Sequence, residues 1–177
     1  MNAAKEKIAS SDKDTETPTG LTPADYNFSL RTLRGEEVLM DSLYGKVIFM
    51  NFWATWCPPC IAEMPNIYSL YQKVKSDKIA FVMVSLDQDP AKAQQFIAKK
   101  GFTFPVYTPN GPLPSVYQGQ VIPITFVISP DGKIVVHKEG MADYDNSEFR
   151  EFLENLTQSR EGLSNSKAQV AKSINSQ

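Results

Sequence analysis

The spacing of apolar residues changes abruptly near residue 57, and this change constrains the fold more than any other feature of the sequence. Residues Val47–Trp53 form a nearly continuous apolar run, which is typical of a strand covered on both faces of a sheet. After Cys60 the apolar side chains are spaced by three and four residues, as on one stripe of a helix. These side chains are Ile61, Met64, Ile67, Tyr68, Tyr71 and Val74. The sequence therefore predicts a buried central strand that leads directly into an amphipathic helix.

Shorter segments on both sides predict further strands and helices. Strands are expected at residues 28–32, 37–39, 79–85, 104–107, 124–129 and 134–137, with tight turns closing the first and last pairs. Helices are expected at residues 90–100, between Asp89 as the N-cap and Gly101 as the stop, and at about 146–156. This order indicates an α/β fold, a central mixed sheet flanked by helices on both faces, with an N-terminal β-hairpin extension.

The apolar pattern is confined to the middle of the 177-residue chain. Residues 1–19 are rich in Lys, Asp, Ser and Thr, and residues 158–177 are rich in Ser, Asn and Gln. Segments with so few large apolar side chains bury too little surface to offset the entropy lost on ordering. We therefore expect a flexible N-terminal tether at 1–19, one domain at 20–157 and a polar C-terminal tail at 158–177.

Composition excludes several classes of function. The formal net charge is −2 and the lysines are scattered, so the sequence predicts no nucleic-acid partner. The apolar runs are far shorter than the roughly 20 residues that cross a bilayer. Two cysteines and one histidine cannot supply the four ligands of a structural zinc site, and Ile61 follows Cys60 where covalent haem attachment needs a histidine. We expect neither a metal nor a cofactor.

The segment Cys57-Pro58-Pro59-Cys60 lies where the buried strand ends and the helix begins. Backbone N–H groups of the first helical turn point toward Cys57, which favours its thiolate and makes it the expected nucleophile. Cys60, inside the first turn, is the expected resolving thiol. The two prolines fix φ and remove two N–H donors, so they stiffen the segment. A structural bridge across so small a loop would add little stability, which favours redox chemistry.

Glu63 is the acidic residue nearest to this pair, one helical turn after Cys60. Resolution requires Cys60 to lose a proton and the leaving sulfur to gain one. Partial burial would raise the pKa of the Glu63 carboxyl toward the working range and make it a proton carrier. The alternative is an exposed glutamate that only interacts with the helix dipole.

The segment 52–60, Phe-Trp-Ala-Thr-Trp-Cys-Pro-Pro-Cys, resembles the active-site signature of the thioredoxin superfamily. Pro65 matches the proline that kinks the helix in that family, and residues 121–126 resemble its cis-proline segment. The resemblance covers about 18–156 and implies a thioredoxin-like fold. The leading hairpin, Glu63 and the insert around 87–117 are similar to the TlpA/ResA-like, redoxin or AhpC-TSA-like branch of extracytoplasmic disulfide reductases.

This resemblance implies roles for particular residues. Asn51 stands where cytoplasmic thioredoxins carry a buried aspartate, so proton transfer is shifted to Glu63. A cis bond before Pro123 would place the backbone of Ile122 beside the active-site sulfur, where an extended substrate can pair with it. The expected substrate-binding residues are Trp56, Pro58, Pro59, Ile122 and Pro123. Trp53 is expected in the core, and His137 is expected at an edge or the surface.

The branch implies a thiol–disulfide oxidoreductase that reduces disulfides of partner proteins in the cell envelope or periplasm, including those of apocytochromes in cytochrome c maturation. A membrane-linked electron donor would re-reduce it. We expect a monomer, with a membrane tether where a signal or an anchor precedes this sequence.

Other functions remain open at this point. The same cysteine pair would serve a disulfide oxidase or isomerase. A peroxidase also occurs on this fold, but its proline, threonine and cysteine motif is absent. A non-catalytic binding module would keep the fold and act through contacts alone.

Overall fold

A seven-stranded mixed sheet organises residues 21–158, the part of the chain that this computed structural model describes. The strands are β1 (Ser29–Thr32), β2 (Glu37–Leu39), β3 (Val47–Trp53), β4 (Ile79–Ser85), β5 (Val106–Pro109), β6 (Ile124–Ile128) and β7 (Ile134–Glu139). Their order is β2-β1-β5-β4-β3-β6-β7, in which β5, β4 and β3 are parallel and the other neighbours are antiparallel. The mixed sheet and the leading hairpin are confirmed.

The described range also contains three α-helices: α1 (Pro58–Val74) after β3, α2 (Pro90–Lys100) after β4 and α3 (Ser147–Gln158) after β7. Helix α2 begins and ends as the sequence predicts, because the Asp89 carboxylate accepts the N–H of Ala91 and Gly101 adopts φ 70° at the C-cap. Helix α1 carries prolines at its first two positions, where no intrahelical N–H bond is lost, and includes Pro65 in its interior.

All three α-helices pack on one face of the sheet, which corrects the expectation of helices on both faces. Buried side chains of α1, α2 and α3 join one apolar cluster with alternate residues of β3 and β4, such as Phe49 and Phe81. The second cluster joins the opposite face to residues of two short 3-10 helices, Met40–Leu43 and Ser115–Tyr117. The physical reason is the strand order: β3, β4 and β5 advance in one direction, so right-handed crossovers place α1 and α2 on the same side.

Strand β5 begins two residues later than predicted and reaches Pro109. Pro105 has no N–H to donate to a ladder, and the pairing of β1 with residues 107–109 extends the strand at its other end. Strand β7 likewise continues past His137 to Glu139, because it stays paired with the start of β6.

Two predictions fall partly or wholly outside the described region. The tether at 1–19 and the tail at 158–177, apart from Gln158, lie outside the described residues, so the domain boundaries stay predictions. Within residues 21–158, no helix has the length and apolar character needed to cross a membrane.

Candidate active site

Cys57 and Cys60 form a disulfide at the junction between β3 and α1. Their Cα atoms are 5.3 Å apart. Cys57 is the N-cap of α1, and its Sγ accepts the backbone N–H of Cys60 at 3.3 Å. Cys57 lies at the outer end of the pair with 4% of its surface exposed, whereas Cys60 is fully buried behind it. An incoming sulfur therefore reaches Cys57 first.

The Ile122–Pro123 bond is cis, as the resemblance implies, and it lies against the disulfide. The carbonyl oxygen of Ile122 is 3.7 Å from Cys57 Sγ. Pro123 is buried and Ile122 is half-buried, so the segment presents its backbone and part of one apolar side chain beside the sulfur. This is a surface on which an extended peptide can lie.

Residues adjacent in sequence to Cys57 and to the cis-proline segment expose apolar side chains. Trp56, immediately before Cys57, has 65% of its surface exposed, and Pro58 and Pro59 are exposed on the other side. Val121 and Met141 are also exposed, and the N–H of Gly140 donates to the carbonyl of Pro123, which holds Met141 next to the cis-proline segment. The sequence reasoning missed Met141, because this contact joins two loops and leaves no local pattern.

Glu63 is buried, with 2% of its surface exposed, so the alternative of an exposed glutamate is wrong. Its Oε1 accepts Nδ2 of Asn51 at 2.9 Å, and its Oε2 accepts the backbone N–H of Ala142 at 3.3 Å. Asn51 also donates to Oγ1 of Thr125, its partner across β3 and β6, at 2.9 Å. Burial raises the pKa of Glu63 to about 7, and the hydrogen bonds from Asn51 and Ala142 oppose that rise only in part.

The loop between β7 and α3 closes over Glu63, and Asn66 of α1 holds this loop in place. Oδ1 of Asn66 accepts the backbone N–H of Tyr144 at 2.8 Å and that of Asp145 at 3.1 Å, while Nδ2 donates to Asp143 at 2.6 Å. Glu63 and Asn66 therefore fasten one loop to successive turns of α1. Because this loop is so distant from α1 in sequence, residue spacing alone could not predict that it borders the site.

The remaining candidates lie elsewhere. Trp53 is buried in the core beside Phe96. His137 stacks on Phe126 with ring centroids 4.6 Å apart, on the sheet face opposite α1. Across the described range, no three Cys, His, Asp or Glu side chains group so that they could hold a metal ion.

The chain is similar to known proteins over most of the described range. The model of the Redoxin family matches residues 22–153. The thiol-disulfide oxidoreductase ResA of Halalkalibacterium halodurans is 35% identical over 129 residues, which are 72% of this chain and 73% of that protein.

Two solved structures resemble this fold. The structure of StoA from Bacillus subtilis is 30% identical with a TM-score of 0.60, and the match covers 77% of this chain and 100% of StoA. The structure of a secreted disulfide oxidoreductase from Mycobacterium tuberculosis is 26% identical with a TM-score of 0.55, covering 62% of this chain and 81% of that one.

The raised pKa of Glu63 predicts a pH-dependent loss of stability. A carboxyl with a pKa of about 7 in the folded chain and an ordinary pKa of 4.5 binds its proton more tightly when folded. Its stabilising contribution is therefore present below pH 4.5 and is lost as the pH rises through about 7. Between pH 5 and pH 8 the free energy of unfolding should fall by about 2 to 3 kcal/mol more in the wild type than in Glu63→Gln.

Urea unfolding of the oxidised proteins at both pH values measures this difference. Each protein is compared with itself at the two pH values. The free-energy cost of the hydrogen bond that the glutamine amide loses is the same at both and therefore cancels. Glu151→Gln, at an exposed position of α3, is the matched control and should follow the wild type. Equal pH dependence in the wild type and Glu63→Gln would contradict the raised pKa.

Proposed function

The chain belongs to the Redoxin family, and from that premise we propose that it reduces disulfides of extracytoplasmic partner proteins through Cys57 and Cys60. Its relatives make it a thiol–disulfide oxidoreductase, with protein disulfides as substrates. The observation that carries the proposal is the arrangement of the pair: Cys57 at a helix N-cap with a small part of its surface exposed, Cys60 fully buried, and a buried carboxyl one turn further. Intact, paired cysteines support catalysis over a non-catalytic binding module.

Reduction of a substrate proceeds in two exchanges. In the dithiol form, the Cys57 thiolate attacks one sulfur of the substrate disulfide, forms a mixed disulfide and releases the other substrate sulfur as a thiolate that takes up a proton. Cys60 then loses its proton and attacks the sulfur of Cys57. The mixed disulfide breaks, the second substrate thiol leaves, and the chain ends in the Cys57–Cys60 disulfide of this structure.

Cys57 is suited to the first attack because the N-cap position stabilises negative charge on its sulfur. The N–H of Cys60 already points at Sγ in the disulfide form, and the positive end of the helix dipole favours a thiolate at the same place. Cys60, fully buried, is shielded from solvent and substrate and is the resolving sulfur.

Glu63 is the proposed proton carrier for the second exchange. A pKa of about 7 means that its carboxyl is present in both protonation states near neutral pH, so it can accept a proton from Cys60 and return it. The neighbouring Asn51 holds Oε1 of Glu63 but cannot titrate, which leaves the carboxyl as the titrating group of this pair. The hydrogen bonds from Asn51 and Ala142 fix the orientation of the carboxyl and leave it able to titrate.

The secreted location of the relative from Mycobacterium tuberculosis supports an extracytoplasmic site of action. In such an oxidising compartment a reductase must receive electrons from elsewhere after each turnover. We therefore assign a membrane-linked dithiol as the electron donor and cysteine-containing proteins of the cell envelope, such as apocytochromes during cytochrome c maturation, as substrates. The chain acts as a monomer in this scheme, and no cofactor is needed because the two sulfurs carry the electron pair.

The reduction potential of the cysteine pair tests the direction of the reaction. We expect a value near that of thioredoxin, roughly −270 mV, because the proposed role is reductive. The chain is equilibrated with dithiothreitol or glutathione buffers, and the reduced fraction is followed by thiol alkylation and by the fluorescence of the two tryptophans, Trp53 and Trp56. A value near roughly −120 mV would make the protein an oxidant and contradict the proposal. A Cys57→Ser, Cys60→Ser double variant gives the background signal.

Replacement of Glu63 should slow the second exchange. Glu63→Gln should reduce the rate of substrate release from the mixed disulfide by about 100-fold at pH 7, because general acid–base catalysis is lost. The wild-type rate should change with pH through a group of pKa about 7, whereas the variant should lack that step. Rapid-mixing kinetics with a peptide that holds one disulfide measures both. A variant with the wild-type profile would remove Glu63 from the mechanism, and Glu151→Gln again serves as the control.

The exposed ring of Trp56 should contribute to binding of protein substrates. Trp56→Ala should raise KM for a protein disulfide by about tenfold through lost apolar contact, with little change for a small disulfide such as oxidised glutathione. Tyr44→Ala is the control, since Tyr44 is 61% exposed and packs near Gly132 in the β6–β7 turn, at the other end of β6 from Pro123. An equal effect of Trp56→Ala on both substrates would contradict a binding role.

A further inference from the structure

The turn that precedes Cys57 is fastened to the end of β4 by one carboxylate. The carboxylate of Asp87 accepts the backbone N–H of Thr55 at 3.1 Å and its hydroxyl at 2.6 Å. It also accepts the hydroxyl of Ser85 at 2.7 Å. A second link lies next to it, because the N–H of Leu86 donates to the carbonyl of Trp53 at 2.8 Å. The ends of β3 and β4 are thus joined just before the active-site cysteine.

Burial of the Asp87 carboxylate costs free energy, because the group loses its hydration. Only 7% of its surface is exposed, and Ser85 is fully buried. A buried carboxylate is tolerated when hydrogen bonds replace its lost hydration, and Asp87 receives these bonds from neutral N–H and O–H groups. Its donors are the N–H and the hydroxyl of Thr55, in the turn before Cys57, and the hydroxyl of Ser85, at the end of β4. The carboxylate therefore fixes the turn's geometry in a way that an apolar side chain could not.

The fixed turn determines where the nucleophile stands. The N–H of Cys57 donates to the carbonyl of Ala54 at 3.2 Å, which closes a turn with Thr55 in its interior. Thr55 is therefore held from outside by Asp87, while the turn presents Trp56 to solvent and Cys57 to the Ile122 carbonyl. Movement of Thr55 would shift both the binding ring and the attacking sulfur.

We propose that Asp87 is a positioning residue for thiol–disulfide exchange, which acts through Thr55 to hold Cys57 in line with the incoming disulfide. The role rests on exchange by Cys57 in either direction, not on the reductive direction proposed above. Sulfur attack requires alignment of three sulfur atoms, and small displacements of a reacting group cost large factors in rate. Asp87 itself touches neither substrate nor sulfur in this role.

The test uses the full chain with Asp87→Asn, Thr55→Val, the double variant and Thr55→Ser. Asparagine matches aspartate in shape but offers one acceptor oxygen fewer, and valine matches threonine in shape but lacks the hydroxyl. The second-order rate constant is measured for each reduced protein with a peptide that contains one disulfide. Asp89→Asn is the matched control: it removes the same charge two residues away, at an exposed N-cap where asparagine caps as well as aspartate.

Each single replacement, Asp87→Asn and Thr55→Val, should lower the rate constant by about tenfold, because the turn loses its alignment. The rate constant of the double variant should lie within about twofold of that of the slower single variant, since both changes break the same interaction. Thr55→Ser, which keeps the hydroxyl, and Asp89→Asn should stay within about twofold of the wild type. Urea unfolding of every variant confirms that the rates belong to folded protein.

Three results would overturn the assignment. In the first, Asp87→Asn keeps the wild-type rate constant and loses only stability, as expected for a purely structural residue. Another is multiplication of the two single effects in the double variant. If Asp87→Asn does not fold, Thr55→Val decides alone, because Thr55 is partly exposed, and a wild-type rate in that variant rejects the role. A wild-type chain without any exchange would instead contradict the proposed function.

Discussion

Burial of β3 on both faces is the constraint from which the site follows. Every residue of Val47–Trp53 is buried, and the strand is paired on one side with β4 and on the other with β6. A strand held this firmly delivers its last residue to a fixed position, and the chain then turns into α1 within a few residues. The cysteine pair therefore stands at a firmly held junction, with Asp87, just after β4, on one side and the cis-proline segment, just before β6, on the other.

The same strand explains why a carboxyl can be buried beneath the pair. Residues of β3 alternate between the two apolar clusters, and Asn51 falls on the face covered by α1. Its amide bridges Glu63 on the helix and Thr125 on the neighbouring strand. Two hydrogen bonds orient the carboxyl but do not replace full hydration, so the pKa of Glu63 is raised to about 7 by burial. Packing alone therefore raises the pKa of Glu63 into the range that the proposed proton transfer requires.

Local signals in the sequence were sufficient for most elements and for the chemistry of the pair. The continuous run in β3, the three-and-four spacing in α1 and the cap residues of α2 each encode their element within a few residues. What the sequence did not predict depends on pairing over distance. The extension of β5 to Pro109 comes from pairing with β1, the N–H that binds Glu63 comes from Ala142, 79 residues away, and Thr55 meets Asp87 across 32 residues. No periodicity encodes such contacts.

The placement of the helices has a consequence for function. Because α1, α2 and α3 share one face, the loop that leads into α3 passes over α1 and closes the space around Glu63. Asn66 anchors this loop through Tyr144 and Asp145, so the N–H of Ala142 is held against the carboxyl. The opposite arrangement, with α3 across the sheet, would leave Glu63 exposed to water and remove the cause of its raised pKa. The raised pKa on which the proposed proton transfer rests therefore depends on the fold's one-sided packing as much as on the residue itself.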